Sequence, residues 1–328
     1  MLQTLHAIET TSTDPRRNLA LEEYLLHSVQ PGDCILYLWQ NQHTVVIGRN
    51  QHAANECRIQ ALEEDGGVLV RRLSGGGAVY HDLGNLNFTF LVCAEDYDVA
   101  KQTETILRAV QKVGIRAEKN GRNDLTVDGN KFSGHAYYQT GDKCYHHGTI
   151  MLDVAMAPLE KYLNVSPLKL EAKGVKSVRS RVVNLREYRP DLSIEDMKAA
   201  LLEAFGEVYG LPVLTLREED LPADLLADGK RRFSAPEWVY GDSRPLAFSR
   251  EARFDWGLLR VDYDLEENVL TKVALWSDGL EADYLSKVPA LLTGRPMEEN
   301  ALRAALTEGP EEVVDGIVTL LTRNEETL

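Results

Sequence analysis

Arg71, Arg72, Ser74, the run Gly75-Gly76-Gly77 and His81 crowd basic, hydroxyl and imidazole groups around backbone that lacks Cβ atoms. Glycine lets the main chain approach a ligand closely and point successive N–H groups at it, which suits a phosphate or carboxylate. Arginine forks at the rim of such a loop suit the same anions. Leu69 and Val70 close an apolar run before the loop, and Asn87 to Val92 alternates polar and apolar after it, so the layout is strand, glycine turn, strand. By itself the triple glycine reads as the turn of a hairpin. The arginine pair, Ser74 and His81 turn the reading toward an anion site. A Walker loop is excluded, because Ala78, Val79 and Tyr80 follow where a Lys-Ser or Lys-Thr pair and a helix are required. The dinucleotide fingerprint is absent as well. A nucleotide bound here lies between strands.

A second group of candidates follows in GRNDLTVDGNKFSGHAYY, residues 121–138. Leu125 to Val127 and Lys131 to Ser133 read as short strands, joined at Asp128-Gly129, where both residues tolerate positive φ. Lys131 just past this turn is either a solvated surface lysine or a fixed cation. Asn123 and Asp124 are turn formers or polar groups of a site. His146 and His147 lead into the apolar strand Ile150 to Leu152. Neighbours on a strand point to opposite faces, so the two cannot share a metal, but one can line a site. Further on, Lys169, Lys173, Lys176, Arg179, Arg181, Arg186 and Arg189 form a basic island with Gly174, Ser177 and Ser180. It reads as a solvated loop or as a mobile clamp on a polyanion. All eight histidines precede residue 150, which places the chemistry in the first half. Cys34, Cys57, Cys93 and Cys144 form no CxxC pair and read as reduced thiols.

The elements that must position these groups follow from periodicity. Asn18 caps a helix with Leu21, Leu25 and Val29 on one face, and Cys34 to Trp39 and Thr44 to Ile47 read as strands with a short helix after them through Leu62. Helices are expected from Val99 to Val113 and from a Ser193 cap, with Asp196 three residues on, to Gly210. The stretch 211–245, rich in Pro, Asp and Gly, reads as the exit from a first domain. Beyond it come strands at Leu259 to Tyr263 and Val269 to Trp276 and two acidic amphipathic helices, a small α+β module. The division expected is a catalytic domain over 1–245 and an accessory domain over 246–328. At 328 residues and 44% hydrophobic the chain can fill both cores. With 51 acidic against 36 basic residues, the net charge of -15 argues against nonspecific nucleic-acid binding. No window approaches a membrane span and the N-terminus lacks a signal pattern, so a cytoplasmic protein with no nucleic-acid or membrane partner is expected.

Taken in order, RRLSGGGAVYHDLGNLNFTF, GRNDLTVDGNKFSGHAYY, YHHGTIML and AKGVKSVRSRVVNL resemble the lipoate–protein ligase A family of the biotin/lipoate ligase superfamily. The blocks cover much of residues 70–185, and PEWVYG at Pro236 to Gly241 extends the likeness more loosely. The resemblance implies an α+β fold, with a large mixed-sheet catalytic domain and a small α+β C-terminal domain. It implies that lipoate and ATP give lipoyl-AMP and pyrophosphate, and that the lipoyl group then passes to a lysine. The acceptors implied are apo-lipoyl domains of 2-oxoacid dehydrogenase acyltransferase subunits or the glycine-cleavage H protein. Carried over by position, Arg72 and the backbone of Gly76, Gly77, Ala78, Val79 and Tyr80 hold the nucleotide, and Lys131 is catalytic, touching the lipoate carbonyl and the adenylate phosphate. Ser74, His81, Asn85, Asn123, Asp124, Ala136 and His147 match positions lining the same pocket. Lys173, Gly174, Arg179 and Arg181 match the loop that folds over the adenylate. Mg2+ is implied at the departing pyrophosphate, with Asp124 the carboxylate nominated to help bind it. An apolar slot for the acyl tail is expected around Leu69, Val79 and Phe90. The alternative is an acyltransferase of the same fold that moves octanoyl or lipoyl groups between carriers through a Cys144 thioester, without ATP. His135 stands where a smaller residue is expected.

Overall fold

The computed structural model describes residues 2–120, 123–164, 182–241 and 245–323. Its main sheet has eight strands: β1 (Thr4–Glu9), β2 (Asp33–Trp39), β6 (Asn85–Cys93), β7 (Glu118–Asn120), β8 (Asp124–Val127), β9 (Asn130–Thr140), β10 (Lys143–Met151) and β11 (Val213–Thr215). They run in the spatial order β11-β1-β2-β6-β10-β9-β8-β7. The β11-β1-β2 pairings are parallel and the rest antiparallel. On one face α4 (Val99–Lys112) and α6 (Ile194–Tyr209) bring Ile106, Val110, Leu201 and Phe205 against Leu36, Phe88 and Phe90. On the other, α1 (Pro15–Ser28) and α7 (Ala223–Ser234) bring Leu19, Leu25 and Leu226 against Ile35, Tyr37 and Tyr145. With both faces covered, every residue of β6 is buried, its polar Asn85, Asn87 and Thr89 included. Alternation in β6 therefore marks a polar interior, not a wet surface.

A smaller sheet corrects the hairpin reading of the glycine loop. Strand β3 (Thr44–Ile47) lies between β4 (Val68–Arg71), parallel to it, and β5 (Val79–His81), antiparallel. The loop crosses over the end of β3, and the strand from Asn85 onward belongs to the main sheet. Helix α1 also starts earlier than expected. Its cap is Asp14, whose carboxylate accepts from the Arg16 N–H, and Pro15 supplies the preset φ of a first helical residue. Asn18 lies inside, with Nδ2 donating to the carbonyls of Ser12 and Gln40 and to Asn41 Oδ1. The Ser193–Asp196 capping box and left-handed Gly210 of α6 are found as expected.

The stretch 211–245 is not simply an exit. Strand β11 extends the main sheet beside β1, α7 packs on α1, and α8 (Pro236–Tyr240) presents carbonyls to Arg71. The C-terminal module has a meander of β12 (Phe248–Phe254), β13 (Gly257–Glu266) and β14 (Val269–Ser277). Three helices cover it, not two: α9 (Ala282–Leu292), α10 (Glu299–Ala305) and α11 (Glu311–Thr322). Leu259, Val261, Leu285, Val288, Ile317 and Leu321 fill its own core. The module docks on the glycine loop. Gly76 N–H donates to Gly279 O at 3.2 Å, Ser277 N–H to Asn50 O at 2.8 Å, and Asn50 Nδ2 to Ala282 O at 2.8 Å. A Cβ at Gly75 would lie 2.2 Å from Gly279 O, so Gly75 lacks a side chain to admit the module, not a ligand.

Candidate active site

Lys131 owes its position to a tight turn and an extra residue. Asp128 and Gly129 both take positive φ, 49° and 78°, and close the β8–β9 turn as the Asp-Gly pair predicts. Leu125 then faces Ser133 while Thr126 faces Lys131, so one step on β8 spans two on β9. The surplus residue, Phe132, is buried in the core, and the bulge switches the face on which Lys131 emerges. Lys131 Nζ consequently lies over Gly134, where a Cβ would come within 2.6 Å of it. Asp124, paired with Gly134 in register, meets Nζ through Oδ1 at 2.6 Å. Asn123 braces the same point, its carbonyl accepting from His135 N–H at 2.8 Å.

The glycine loop forms the opposite wall. Arg71 is not at a rim: it is buried, and its guanidinium donates to the carbonyls of Gly48, Arg49, Gln51 and Val239. Arg72 is also buried, with Nε donating to Ser74 Oγ at 3.0 Å and Nη2 to Gly75 O and Gly77 O at 2.6 and 2.9 Å. It ties down the carbonyls of Gly75 and Gly77. With Gly76 N–H given to Gly279, the N–H groups of Gly77 and Ala78 have no partner among the described residues. Arg72, Gly76 to His81, Asn85, Asn123, Asp124, Lys131, Ala136 and His147 all line one cavity of about 1120 Å³, and Trp256, Asp278, Leu280 and Tyr284 of the small module close its outer side.

Behind the inner wall lies a polar network, and Ser74, expected to line the pocket, belongs to it with Glu22 and Thr89 and not to the cavity lining. Glu22 Oε1 accepts from Thr89 Oγ1 at 2.7 Å and from His147 Nδ1 at 2.8 Å, and His147 Nε2 lies 2.7 Å from Ser74 Oγ. Asn85 Nδ2 donates to Asn87 Oδ1 at 2.9 Å. Leu19, Trp39, Val46 and Val79 supply the apolar lining. Leu69 and Phe90 do not: Leu69 packs with Val45, Ile47 and Leu62, and Phe90 with Phe88 and Phe205. Glu22 and Asn87 escaped sequence reasoning. The signal was a carboxylate on the helix face that carries Leu19 and Leu26, and an asparagine two positions after Asn85 in a strand.

His146 and His147 diverge as neighbours on a strand must. His147 enters the cavity, while His146 lies on the other face with Nδ1 3.0 Å from Gln102 Oε1 and Nε2 2.9 Å from His135 Nδ1. His135 Nε2 in turn meets Ser133 Oγ at 3.0 Å. Burial holds His135 far below the usual imidazole range, at about 3, with the Lys131 charge acting the same way. Burial lowers His146 as well. Cys144 sits in register between Val92 and Gln139, with its side chain in the core and β6 between it and Cys34. It is absent from the cavity lining, and burial pushes its thiol up to about 11, which removes the thiolate that a thioester mechanism needs. Lys173, Gly174, Arg179 and Arg181 lie outside the described residues. Among those described, no group of three or more His, Cys, Asp or Glu could hold a metal, and no helix is long and apolar enough to cross a membrane.

Residues 14–206 match the model of the lipoyl protein ligase A/B catalytic domain, and residues 244–317 that of the bacterial lipoate protein ligase C-terminus. A lipoate-protein ligase A of Psychrobacter cryohalolentis is 38% identical over 312 residues, 93% of this chain and 92% of the relative. Among solved structures, P. falciparum LipL1 in complex with lipoate shares the fold with a TM-score of 0.84 at 24% identity, covering 96% of this chain and 98% of its own. A lipoate-protein ligase A bound with ATP matches at 0.62 and 25% identity, over 74% of this chain and 99% of its own. The bi-partite lipoate protein ligase of Thermoplasma acidophilum, solved as a lipoylation system with its E2 lipoyl domain, matches at 0.63 and 27% identity over 76% of this chain and 100% of its own.

Proposed function

The chain belongs to the lipoate–protein ligase A family and is a lipoate–protein ligase, and on that premise we propose how its cavity carries out the reaction. The lipoate carboxylate attacks the α-phosphate of ATP and displaces pyrophosphate. An acceptor lysine then attacks the acyl carbon of the mixed anhydride, the C–O bond breaks, and AMP leaves. Both steps build negative charge on oxygens, which a fixed ammonium and aligned N–H donors stabilise more in the transition state than in the ground state. Lys131 is that ammonium, and the N–H groups of Gly77 and Ala78 are those donors. Arg72 acts on the nucleotide through the loop it holds as much as by its own charge. The observation that carries this reading is the bulge at Phe132, which turns Lys131 and its partner Asp124 into a cavity facing the glycine loop.

The pairing of Asp124 with Lys131 bears on Mg2+. One carboxylate beside a lysine suits a metal that arrives on the nucleotide's phosphates, and not one caged by protein alone. Asp124 would help hold such an ion, which would supply charge neutralisation to the departing pyrophosphate. The acceptor is a lipoyl-type carrier domain, a reading supported by the lipoyl domain of the archaeal system. The four buried free thiols suit a reducing compartment, the cytoplasm. The separate core of the C-terminal module supports a boundary near 245/246. Purified protein with lipoate, ATP, Mg2+ and an apo-lipoyl domain tests the whole reading. A lipoyl mass gain on the acceptor, with AMP and pyrophosphate released, is expected. Acyl transfer without ATP would overturn it.

A further inference from the structure

The ligase reading gives the nucleotide to the glycine loop and to Arg72, and the network behind the cavity wall fixes that arginine. Arg72 is buried, and its guanidinium meets neutral oxygens: Ser74 Oγ, Val46 O, Gly75 O and Gly77 O. A buried cation calls for a counter-charge. Among the described residues Glu22 is the one acidic residue buried to a comparable degree, at 1% exposure. The chain of hydrogen bonds between the two has a fixed direction. An indole N–H only donates, so Trp39 Nε1, 3.1 Å from Thr89 Oγ1, leaves that hydroxyl to donate to Glu22 Oε1 at 2.7 Å. A guanidinium N–H only donates as well, so Ser74 Oγ accepts from Arg72 Nε at 3.0 Å and turns its own proton to His147 Nε2, 2.7 Å away. His147 therefore carries the ring's proton on Nδ1 and gives it to Glu22 Oε1 at 2.8 Å. Every link from guanidinium to carboxylate is made, and Glu22 and Ser74 are both absent from the cavity lining.

We propose that Glu22 is a positioning residue for nucleotide binding: through His147 and Ser74 it fixes the Arg72 fork, and with it the glycine loop, without touching either substrate. The proposal deepens the ligase reading and rests on it. Burial pulls the Arg72 guanidinium down to about 10, and the Glu22 carboxylate is one of the charges that oppose this. An ionised carboxylate accepts and cannot donate, so it holds the His147 proton on Nδ1 and leaves Nε2 to take the Ser74 proton. An amide in its place can offer an N–H to Nδ1, and the order of protons then reverses. Ser74 Oγ would face two donors, Arg72 Nε and His147 Nε2. Its own proton would be left with Gly75 O, 3.4 Å away and already held by Arg72 Nη2 at 2.6 Å. The fork and the loop carbonyl would compete where they now cooperate. The charge of Glu22, and not its bulk, is what this arrangement uses.

The test measures lipoate-dependent ATP–pyrophosphate exchange in Glu22→Gln, Ser74→Ala and the double variant, with ATP and lipoate each varied. Glu22→Gln keeps the shape and removes the charge. KM for ATP should rise about tenfold in each single variant, the scale of one charge-assisted hydrogen bond, while KM for lipoate stays within about twofold. The double variant should be no worse than the poorer single, because both substitutions cut one chain. Nitrogen-15 NMR of the histidine rings adds a reading that lost packing would not move: the His147 proton should sit on Nδ1 in the wild type and on Nε2 in Glu22→Gln. The inference is overturned by an unchanged KM for ATP in the folded variants, by a loss that falls on lipoate instead, by additive losses in the double variant, or by the same His147 tautomer in both proteins. Should Glu22→Gln fail to fold, Ser74→Ala decides by its KM for ATP. Absence of exchange in the wild type would instead overturn the ligase reading, and this inference with it.

Discussion

Gly75→Ala tests the contact between the two modules. Gly75 is not among the positive-φ glycines, so alanine meets no backbone strain there, and the effect comes from space alone. The added Cβ would lie 2.2 Å from Gly279 O and 3.0 Å from Leu280 Cα. Both neighbours are main chain and cannot swing aside as a side chain would. Restoring an ordinary contact requires the Gly279 turn to retreat by about 1 Å, which lengthens the 3.2 Å bond from Gly76 N–H beyond use. The hydrogen bond itself is worth only about 1 kcal/mol. The displacement matters more, because misplacing groups by about 1 Å can cost about 100-fold in rate. Leu280 and Tyr284, which wall the cavity, move with that turn. Lipoate-dependent ATP–pyrophosphate exchange should therefore drop roughly 10- to 100-fold. Transfer from supplied lipoyl-AMP, which needs Lys131 and no pyrophosphate, should change far less. Each module keeps its own core, so circular dichroism and Tm should stay near the wild type. Wild-type exchange in Gly75→Ala, or equal loss in both half-reactions, would refute the role assigned to the docked module.

Lys131→Ala should lower both half-reactions by about 100-fold or more with the fold intact, since the residue supplies charge rather than packing; a loss confined to one, measured by exchange and by acceptor mass gain, would remove it from the other. Cys144→Ser should leave ligation rates unchanged, and an inactive but folded variant would restore the thioester mechanism. Truncation after Ala247 should leave a folded large module by circular dichroism and depress exchange much more than transfer. Stability should depend on pH through His81 and His135, both held at about 3 in the fold against an ordinary value of 6.5. Depressed imidazoles contribute stability that is fully present above pH 6.5 and is lost as pH falls through 6.5 toward 3. Each bound proton steepens the loss by about 1.4 kcal/mol per pH unit, so urea titrations of His135→Ser should show a shallower acid slope than the wild type. An identical slope would mean that His135 is not held neutral.

Local chemistry made much of this protein legible in one dimension. The Asp128-Gly129 turn, the Ser193–Asp196 box with Gly210 and the divergence of His146 from His147 are consequences of backbone preference and strand period, which act between near neighbours. The glycine loop and the Lys131 block could be read as site chemistry for the same reason. What lay beyond reach involved partners far along the chain. Arg71 looked like a ligand for anions and is spent on the carbonyls of Gly48, Arg49, Gln51, Trp238 and Val239; the alternation in β6 marked a strand but not that both its faces are covered. Nothing in KFSGHAYY reveals that Phe132 is surplus to the ladder, yet that residue decides the face from which Lys131 emerges. Period two assigns faces only while pairing is regular. Whether a strand bulges, and whether a glycine serves a ligand or a docking module, is settled by what packs against it, and only the folded chain brings those surfaces together.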